Sequence, residues 1–125
     1  MTVLAQDPLT EKIIGCAIEV HRRLGPGLLE SVYESALCIE LEHCRLRFER
    51  QLLLPITYRD RSIGDLRMDI VVEKSVILEL KSVERIDPVF ETQLLTYLRL
   101  SGLKTGLSIN FNSRLLHQGI KRFVI

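Results

Sequence analysis

Besides the turn residues Glu73, Lys74 and Ser75, the largely aliphatic segment "MDIVVEKSVILELK" at residues 68–81 contains two carboxylates and one ammonium. Asp69 lies near the start of this segment, and Glu79 and Lys81 lie near its end. Branched aliphatic residues fill most of the positions between them, which is typical of strands buried in a sheet. An unpaired charge in such surroundings costs several kcal/mol, roughly what a small domain has to spare. These charges therefore need a compensating group, and we hypothesise that a divalent metal ion provides it.

The alternation of side chains along strands predicts where these groups point. Glu79 and Lys81 are two residues apart, so a strand places both of them on one face. A loop with an odd number of residues, such as 73–75, places Asp69 opposite Glu79 on the same side of the sheet, whereas an even loop separates the two acids. The same alternation predicts two residues that share the face of Asp69, namely Arg67 and Val71.

Two carboxylates on neighbouring strands form an oxygen-lined site suited to Mg²⁺, which takes one or two carboxylates together with water and phosphate oxygens. The ion would activate a bound water and polarise a phosphate, while Lys81 would hold the attacking water or neutralise charge in the transition state. The residues alone leave a second interpretation open. In it, Asp69, Glu79 and Lys81 form a structural salt bridge on a solvent-facing side.

The segment "ETQLLTYLRL" carries two polar side chains at helical spacing. Gln93 and Tyr97 are four residues apart and share one helix face, beside an apolar stripe predicted at Phe90, Leu94 and Leu100. Gln93 would bind a phosphate or orient Lys81, and Tyr97 would donate to a phosphate or stack near a base. The alternative is a helix that carries one amide and one phenol at its solvent-exposed edge, with no role in chemistry.

Glu30 and Tyr33 share a face of an earlier helix, one turn after Gly27. The positive N-terminus of a helix is a sufficient structural reason for a carboxylate at Glu30. The other interpretation makes Glu30 a third acidic ligand of the metal, either directly or through water.

The rest of the sequence predicts the elements that position these groups. Apolar periodicity, capping residues and turn residues indicate three helices, at 8–24, 28–45 and 88–101. Strand patterns lie at 47–58, 63–73, 76–83, 104–110 and 119–125. Thr10 or Asp7 would cap the first helix and Asp87 the third, while Pro55 favours an edge position for the first strand.

The order α-α-β-β-β-α-β-β predicts an α/β protein with a mixed sheet covered by helices, in one domain over residues 1–125.

The net charge of +1 argues against a protein that coats nucleic acid by bulk electrostatic attraction. Three cysteines fall in helical patterns without metal-type spacing, which predicts buried, reduced thiols in a cytoplasmic protein: Cys16, Cys38 and Cys44. Residues 1–14 lack a signal-peptide pattern, and no stretch is apolar enough to cross a membrane.

The ordered motifs Glu30, Asp69, Glu79-x-Lys81 and Gln93-x-x-x-Tyr97 resemble the PD-(D/E)XK nuclease superfamily, and the last motif is similar to its RecB-type exonuclease branch. A closer resemblance, over about residues 8–123, is to the small bacterial GxxExxY proteins. It is carried by "GLLESVY", "GDLRMDIVVE", "ILELKSV", "QLLTYL" and "TGLSINFN". One departure is Met68, which stands where the superfamily pattern has a proline before the aspartate.

This resemblance implies a restriction-endonuclease-like fold, a central mixed β-sheet flanked by α-helices, and cleavage of phosphodiester bonds with Mg²⁺ or, as a substitute, Mn²⁺. Asp69 and Glu79 would be metal ligands, with Glu30 as the acidic residue of the first core helix. Lys81 would be the catalytic lysine. The accessory helix motif would be Gln93 and Tyr97.

The partner implied is nucleic acid, with DNA preferred over RNA, and a homodimer would grip duplex DNA better than one domain of this size. Two alternatives stay open. The first is a catalytically silent module of the nuclease fold that binds nucleic acid or a protein partner. The second is an enzyme that acts only when a partner delivers its substrate.

Overall fold

The computed structural model describes residues 7–125. Its elements follow the predicted order: α1 (Pro8–Leu24), α2 (Glu30–His43), β1 (Phe48–Tyr58), β2 (Arg61–Val72), β3 (Val76–Lys81), α3 (Pro88–Ser101), β4 (Thr105–Asn110) and β5 (Ile120–Val124). A short 3₁₀ helix at Leu116–Gly119, which the sequence analysis missed, leads into β5. The first six residues, part of the segment in which no signal peptide is predicted, lie outside the described residues.

The five strands form one sheet in chain order, from β1 at one edge to β5 at the other. β3 and β4 are parallel because α3 crosses over between them, while the other neighbouring pairs are antiparallel. Pro55 lies in the edge strand β1, where its missing N–H removes no ladder bond that a central strand would need. The predicted mixed sheet flanked by helices is confirmed.

The two faces of the sheet carry separate hydrophobic clusters. One cluster packs α1 and α2 against the sheet through alternate residues of β3, which are Val76, Leu78 and Leu80. The other packs α3 against Ile77 of the same strand, with Leu94 and Tyr97 from the helix. The alternation predicted for β3 is therefore observed. Within residues 7–125, no helix combines the length and the apolar character needed to cross a membrane.

Capping residues explain where the helices begin. Asp7, not Thr10, caps α1, because its Oδ1 accepts from Thr10 N at 2.8 Å. Asp87 caps α3 by accepting from Val89 N at 2.9 Å. α2 begins at Glu30, two residues later than predicted, because the N–H of Leu28 donates to the Tyr33 hydroxyl at 3.1 Å instead of entering a helix.

The alternation predicted for β2 fails at Asp69. Met68 and Val71 both pack in the cluster under α3, whereas Ile70 packs on the α1–α2 side. A regular strand would place Met68 and Ile70 on the same face. The break coincides with Gln51, which lies opposite Asp69 in β1 and has φ of 51°, in the left-handed region. The prediction that Arg67 shares a face with Val71 is therefore wrong, since the strand rotates between them.

Candidate functional site

β2 and β3 separate at the carboxylates. The loop 73–75 has three residues, as predicted, and three regular pairs follow it, ending at Ile70 and Leu78. The ladder stops one pair short of Asp69 and Glu79. There the N–H of Leu80 donates to Asp69 Oδ2 at 2.8 Å, so that a side chain takes the place of a strand carbonyl. The fork between the two strands therefore opens where the two acids lie.

Asp69 and Glu79 are direct neighbours in this fork. The N–H of Asp69 donates to Glu79 Oε1 at 3.4 Å, and the Glu79 side chain is only 7% exposed. Burial, reinforced by the charge of Asp69, raises the pKa of Glu79 to about 8. Burial also raises the pKa of Asp69, against the opposing effect of the Leu80 hydrogen bond. Both acids resist ionising together, so a bound cation would favour the doubly charged pair.

Lys81 lies beyond Glu79 on β3 and approaches the pair without bonding to it. Its charge lowers the pKa of both carboxyls. Its Nζ lies 4.0 Å from the centroid of the Phe90 ring. Across residues 7–125, no ion pair within 4.0 Å joins Lys81 to Asp69 or Glu79. The structural salt bridge, which the sequence left open as the second interpretation, is therefore not formed.

The α3 motif is divided between the core and the surface. Tyr97 is buried, and burial together with the charges of Glu79 and Asp69 raises the pKa of its phenol. Gln93, one turn earlier, is exposed. The structure thus places Tyr97 near the carboxylates and Gln93 at the helix surface. Leu100, predicted in the apolar stripe, is 47% exposed, because the buried face of α3 turns toward Leu98 instead.

Glu30 and Tyr33 have different surroundings. Glu30 is exposed at the first position of α2, and its charge raises the pKa of both Asp69 and Glu79. Tyr33 is fully buried and stacks on Phe111, with ring centroids 4.5 Å apart. Its hydroxyl donates to the carbonyl of Gly25 at 2.5 Å. Tyr33 therefore holds the turn before α2, which in turn positions Glu30.

Sequence reasoning missed Glu34, one turn after Glu30 on α2. Its charge also raises the pKa of Asp69. Its carboxylate pairs with Arg50 at 3.0 Å and accepts from Gln51 Nε2 at 2.7 Å. Glu34 thereby ties α2 to the point where β1 turns opposite Asp69. Its spacing of four residues from Glu30, on one helix face, was the signal available in the sequence.

Sequence reasoning also missed Asn110, which lies at the end of the predicted strand 104–110. Asn110 ends β4 beside Lys81 in the parallel register and is buried. Its Nδ2 donates to Val83 O at 2.9 Å, and its Oδ1 accepts from Val83 N at 3.1 Å. The neighbouring Phe111 N donates to Lys81 O at 2.9 Å. Asn110 therefore fixes the backbone that follows Lys81.

The structure brings two of the three predicted acidic ligands into contact with each other. In the described part of the chain, no group of three or more His, Cys, Asp or Glu side chains is placed to hold a metal ion. Asp69 and Glu79 are together, and Glu30 lies outside that pair. Two carboxylates suit Mg²⁺, which completes its coordination with water and substrate oxygens. Asp69 Oδ1 and Glu79 Oε2 accept no hydrogen bond from residues 7–125, so each acid keeps an oxygen available. The two carboxylates therefore fit a Mg²⁺ ion.

One comparison with known proteins identifies a relationship. A family model described as the PD-(D/E)XK nuclease superfamily matches residues 7–123. Searches among curated proteins and among solved structures give no match. The match spans every element of the fold that carries a candidate site residue, from α2 to α3.

Proposed function

Because this chain belongs to the PD-(D/E)XK nuclease superfamily, we propose that it hydrolyses phosphodiester bonds of nucleic acid, with DNA as the substrate, in a reaction that requires Mg²⁺ or Mn²⁺. Its mixed sheet flanked by helices is the restriction-endonuclease-like fold of that superfamily. One observation carries the proposal. Asp69, half-buried, and Glu79, buried, lie together at the fork between β2 and β3, and neither forms an ion pair with residues 7–125.

Asp69 and Glu79 are the residues that would hold the ion. When bound, it would lower the pKa of a water ligand and polarise the scissile phosphate. The backbone keeps Asp69 in place, since the Leu80 N–H fixes one of its oxygens. Glu79 is fixed on the opposite side of the fork, where the Asp69 N–H contacts one of its oxygens. Each acid thus keeps the other oxygen for a ligand.

Lys81 would act on the water or on the phosphate. Its ammonium contacts the Phe90 ring and forms no ion pair within residues 7–125, so its N–H donors are not committed to a carboxylate. A cation in this position would orient the attacking water, or offset the negative charge that develops on the phosphate in the transition state. In-line attack would leave a 5′-phosphate on the product.

Three further residues would complete the site. Tyr97 keeps its proton because its pKa is raised, so its phenol would be a donor to a phosphate oxygen. The exposed amide of Gln93 would contact the substrate from the helix surface. Glu30 would approach the ion through a water molecule, since it lies outside the group formed by Asp69 and Glu79.

The absence of a third acid from that group, within residues 7–125, favours a second candidate function. In it, the chain is a catalytically silent nuclease-fold module that binds nucleic acid or a protein partner. The charged cluster would then serve binding alone. The two functions differ in metal binding and in cleavage, which can be measured separately.

A cleavage panel tests the proposal. Single- and double-stranded DNA and RNA are incubated with the protein in Mg²⁺, Mn²⁺ or EDTA, with Lys81→Ala as the control. We expect cleavage that needs the ion and is lost in the variant. Cleavage that persists in EDTA, or in Lys81→Ala, would contradict the mechanism. Calorimetry with Mn²⁺ on the wild type and Asp69→Ala then separates the alternatives, because a silent module is expected to show no Mn²⁺ binding in either protein.

A further inference from the structure

Cys16 and Cys44 lie side by side where α1 meets the end of α2. Their sulfur atoms are 3.3 Å apart. The Cys16 thiol also contacts the carbonyl of Glu40, at 3.6 Å. All three cysteines of the chain are free thiols. The two helices thus bring together a pair of thiols that the sequence separates by 28 positions.

The two thiols differ in exposure. Cys16 is 3% exposed, whereas Cys44 is exposed. The prediction that all three cysteines are buried is therefore wrong for Cys44, because α2 ends at His43 and Cys44 follows it as the C-cap. Both thiols line a cleft of about 740 Å³ between the helices. A small molecule in solvent therefore reaches the pair through this cleft.

We propose that Cys16 and Cys44 are a site of reversible oxidation, at which a peroxide converts the two thiols into an intramolecular disulfide. Hydrogen peroxide first oxidises the Cys44 sulfur to a sulfenic acid, which releases one water. The Cys16 sulfur then attacks the Cys44 sulfur and forms the S–S bond. The hydroxyl group leaves with the proton of Cys16 as a second water. Two thiols lose two electrons and two protons, and one peroxide becomes two waters.

The surroundings of the two thiols support this order of steps. The thiolate is the form that reacts with peroxide. Burial raises the pKa of Cys16 to about 12, so the exposed Cys44 is the thiol that reacts first. The sulfenic acid then forms within contact distance of a second thiol, which is what a resolving cysteine requires.

The geometry requires only a small movement. A disulfide has an S–S distance of about 2.05 Å, so the two sulfurs must approach by roughly 1.2 Å. The Cys44 side chain is exposed, and the chain leaves the helix immediately afterwards through Arg45, whose φ is 58°. Rotation of the exposed Cys44 side chain can supply this movement while Cys16 remains in place.

Cys38 provides a matched internal control. It lies on α2 and is buried, and burial raises its pKa to about 11. No hydrogen bond to a sulfur atom reaches Cys38 from residues 7–125, in contrast with Cys16. The proximity of their sulfur atoms, and not thiol chemistry alone, distinguishes Cys16 and Cys44 from Cys38. The proposed oxidation is independent of the proposed nuclease function.

Oxidation of the full chain with a slight excess of hydrogen peroxide tests the assignment. After alkylation under denaturing conditions, we expect one modified thiol instead of three, a mass loss of 2 Da and a peptide that links Cys16 to Cys44. Dithiothreitol should restore three modifiable thiols. A wild-type product without this linked peptide, with Cys44 instead carried to a sulfinic or sulfonic acid, would overturn the proposal.

Variants supply the controls. Cys38→Ser should still lose two modifiable thiols, whereas Cys44→Ser and Cys16→Ala should lose none to an intramolecular bond. Cys44 is exposed, so Cys44→Ser is expected to fold even if Cys16→Ala is destabilised. A disulfide that closes this loop should also raise the midpoint temperature of the wild type by on the order of 10 °C, reversibly. An intramolecular disulfide in Cys44→Ser would refute the pairing.

Discussion

The ammonium of Lys81 lies over the ring of Phe90, with its Nζ 4.0 Å from the ring centroid. Lys81 comes from β3 and Phe90 from the first turn of α3, so this contact joins the sheet to the helix that covers it. Such a contact contributes about 0.5–2 kcal/mol and leaves the N–H donors free to reach another group. It explains how a lysine beside two acids stays in place without closing an ion pair with either.

Lys81→Ala should lower cleavage by at least about 10²-fold, because it removes the cation that stabilises the developing charge. The midpoint temperature should fall by at most roughly 10 °C, because the variant loses the contact with the Phe90 ring but no ion pair with the described residues. Cleavage rates and thermal denaturation measure the two effects. Lys74→Ala, at the exposed turn between β2 and β3, is the matched control and should keep full activity. If Lys81→Ala and Lys74→Ala cleave DNA at the same rate, Lys81 takes no part in the reaction.

Glu79→Gln should abolish Mn²⁺ binding and at the same time stabilise the protein in EDTA. The substitution keeps the side-chain volume but removes a buried charge that lies beside Asp69. Since the pKa of Glu79 is raised to about 8, the penalty of ionising it is fully present above that pH. The gain, on the order of 1 kcal/mol or more, should therefore be larger at pH 9 than at pH 6. Calorimetry and denaturant unfolding provide the two measurements.

Glu42→Gln is the control for that experiment, because Glu42 is an exposed carboxylate near the end of the same helix that carries Glu30. It should leave both metal binding and stability unchanged. If Glu79→Gln proves less stable than the wild type at pH 9 in EDTA, the ionised Glu79 side chain does not destabilise the fold, and the argument from its burial fails.

Asn110→Ala should destabilise the protein by about 1–3 kcal/mol, since it leaves buried backbone groups of Val83 without partners. Cleavage should fall as well, because the backbone after Lys81 loses its anchor. Denaturant unfolding and cleavage rates are the readouts. Asn112→Ala is the matched control, as no hydrogen bond of its side chain to residues 7–125 is lost. A variant at Asn110 with wild-type stability would show that the segment is held by other contacts.

Asp7→Ala should cost about 1 kcal/mol at pH 7, the usual contribution of a helix cap. The bond from Thr10 N, the largest cause, and the Arg122 guanidinium hold the pKa of Asp7 below its ordinary value of 3.8. A depressed pKa stabilises the fold above pH 3.8, and this contribution is lost as the pH falls through the lower folded pKa. The difference between wild type and variant should therefore shrink as the pH falls below 3.8.

Asp7→Asn separates the cap from the charge, because an amide oxygen can still accept from Thr10 N. It should retain most of the stability at pH 7 and show a flatter pH dependence. Urea midpoints at pH 7 and at acidic pH measure both variants. An Asn variant as unstable as the Ala variant would assign the stabilisation to the ion pair with Arg122 instead of the cap.

Local sequence signals were sufficient for most of the fold. Asp87-Pro88 marks the start of α3 and Gly102 its end, because capping, the fixed φ of proline and the left-handed freedom of glycine act over a few residues. Several element boundaries shifted by one or two residues from the predicted ones. α2 begins late because the Tyr33 hydroxyl takes the N–H of Leu28.

Local sequence signals predicted only part of the candidate site. The three-residue loop at 73–75 correctly brought Asp69 and Glu79 to neighbouring positions, since pairing register follows from loop length. The rotation of β2 at Asp69 was not foreseen, because it depends on the backbone of Gln51 in another strand. The roles of Glu34 and Asn110 likewise depend on partners that lie 16 and 27 positions away in the chain.

The sequence by itself determined which elements form, in what order, and which acids the hairpin brings together, because propensity, capping and loop length are local properties. Only the tertiary structure decided that β2 and β3 separate at Asp69 and that Lys81 contacts Phe90 instead of a carboxylate. It also placed Cys16 beside Cys44. These relationships join segments whose packing is set by the whole core, and no short stretch of sequence carries that information.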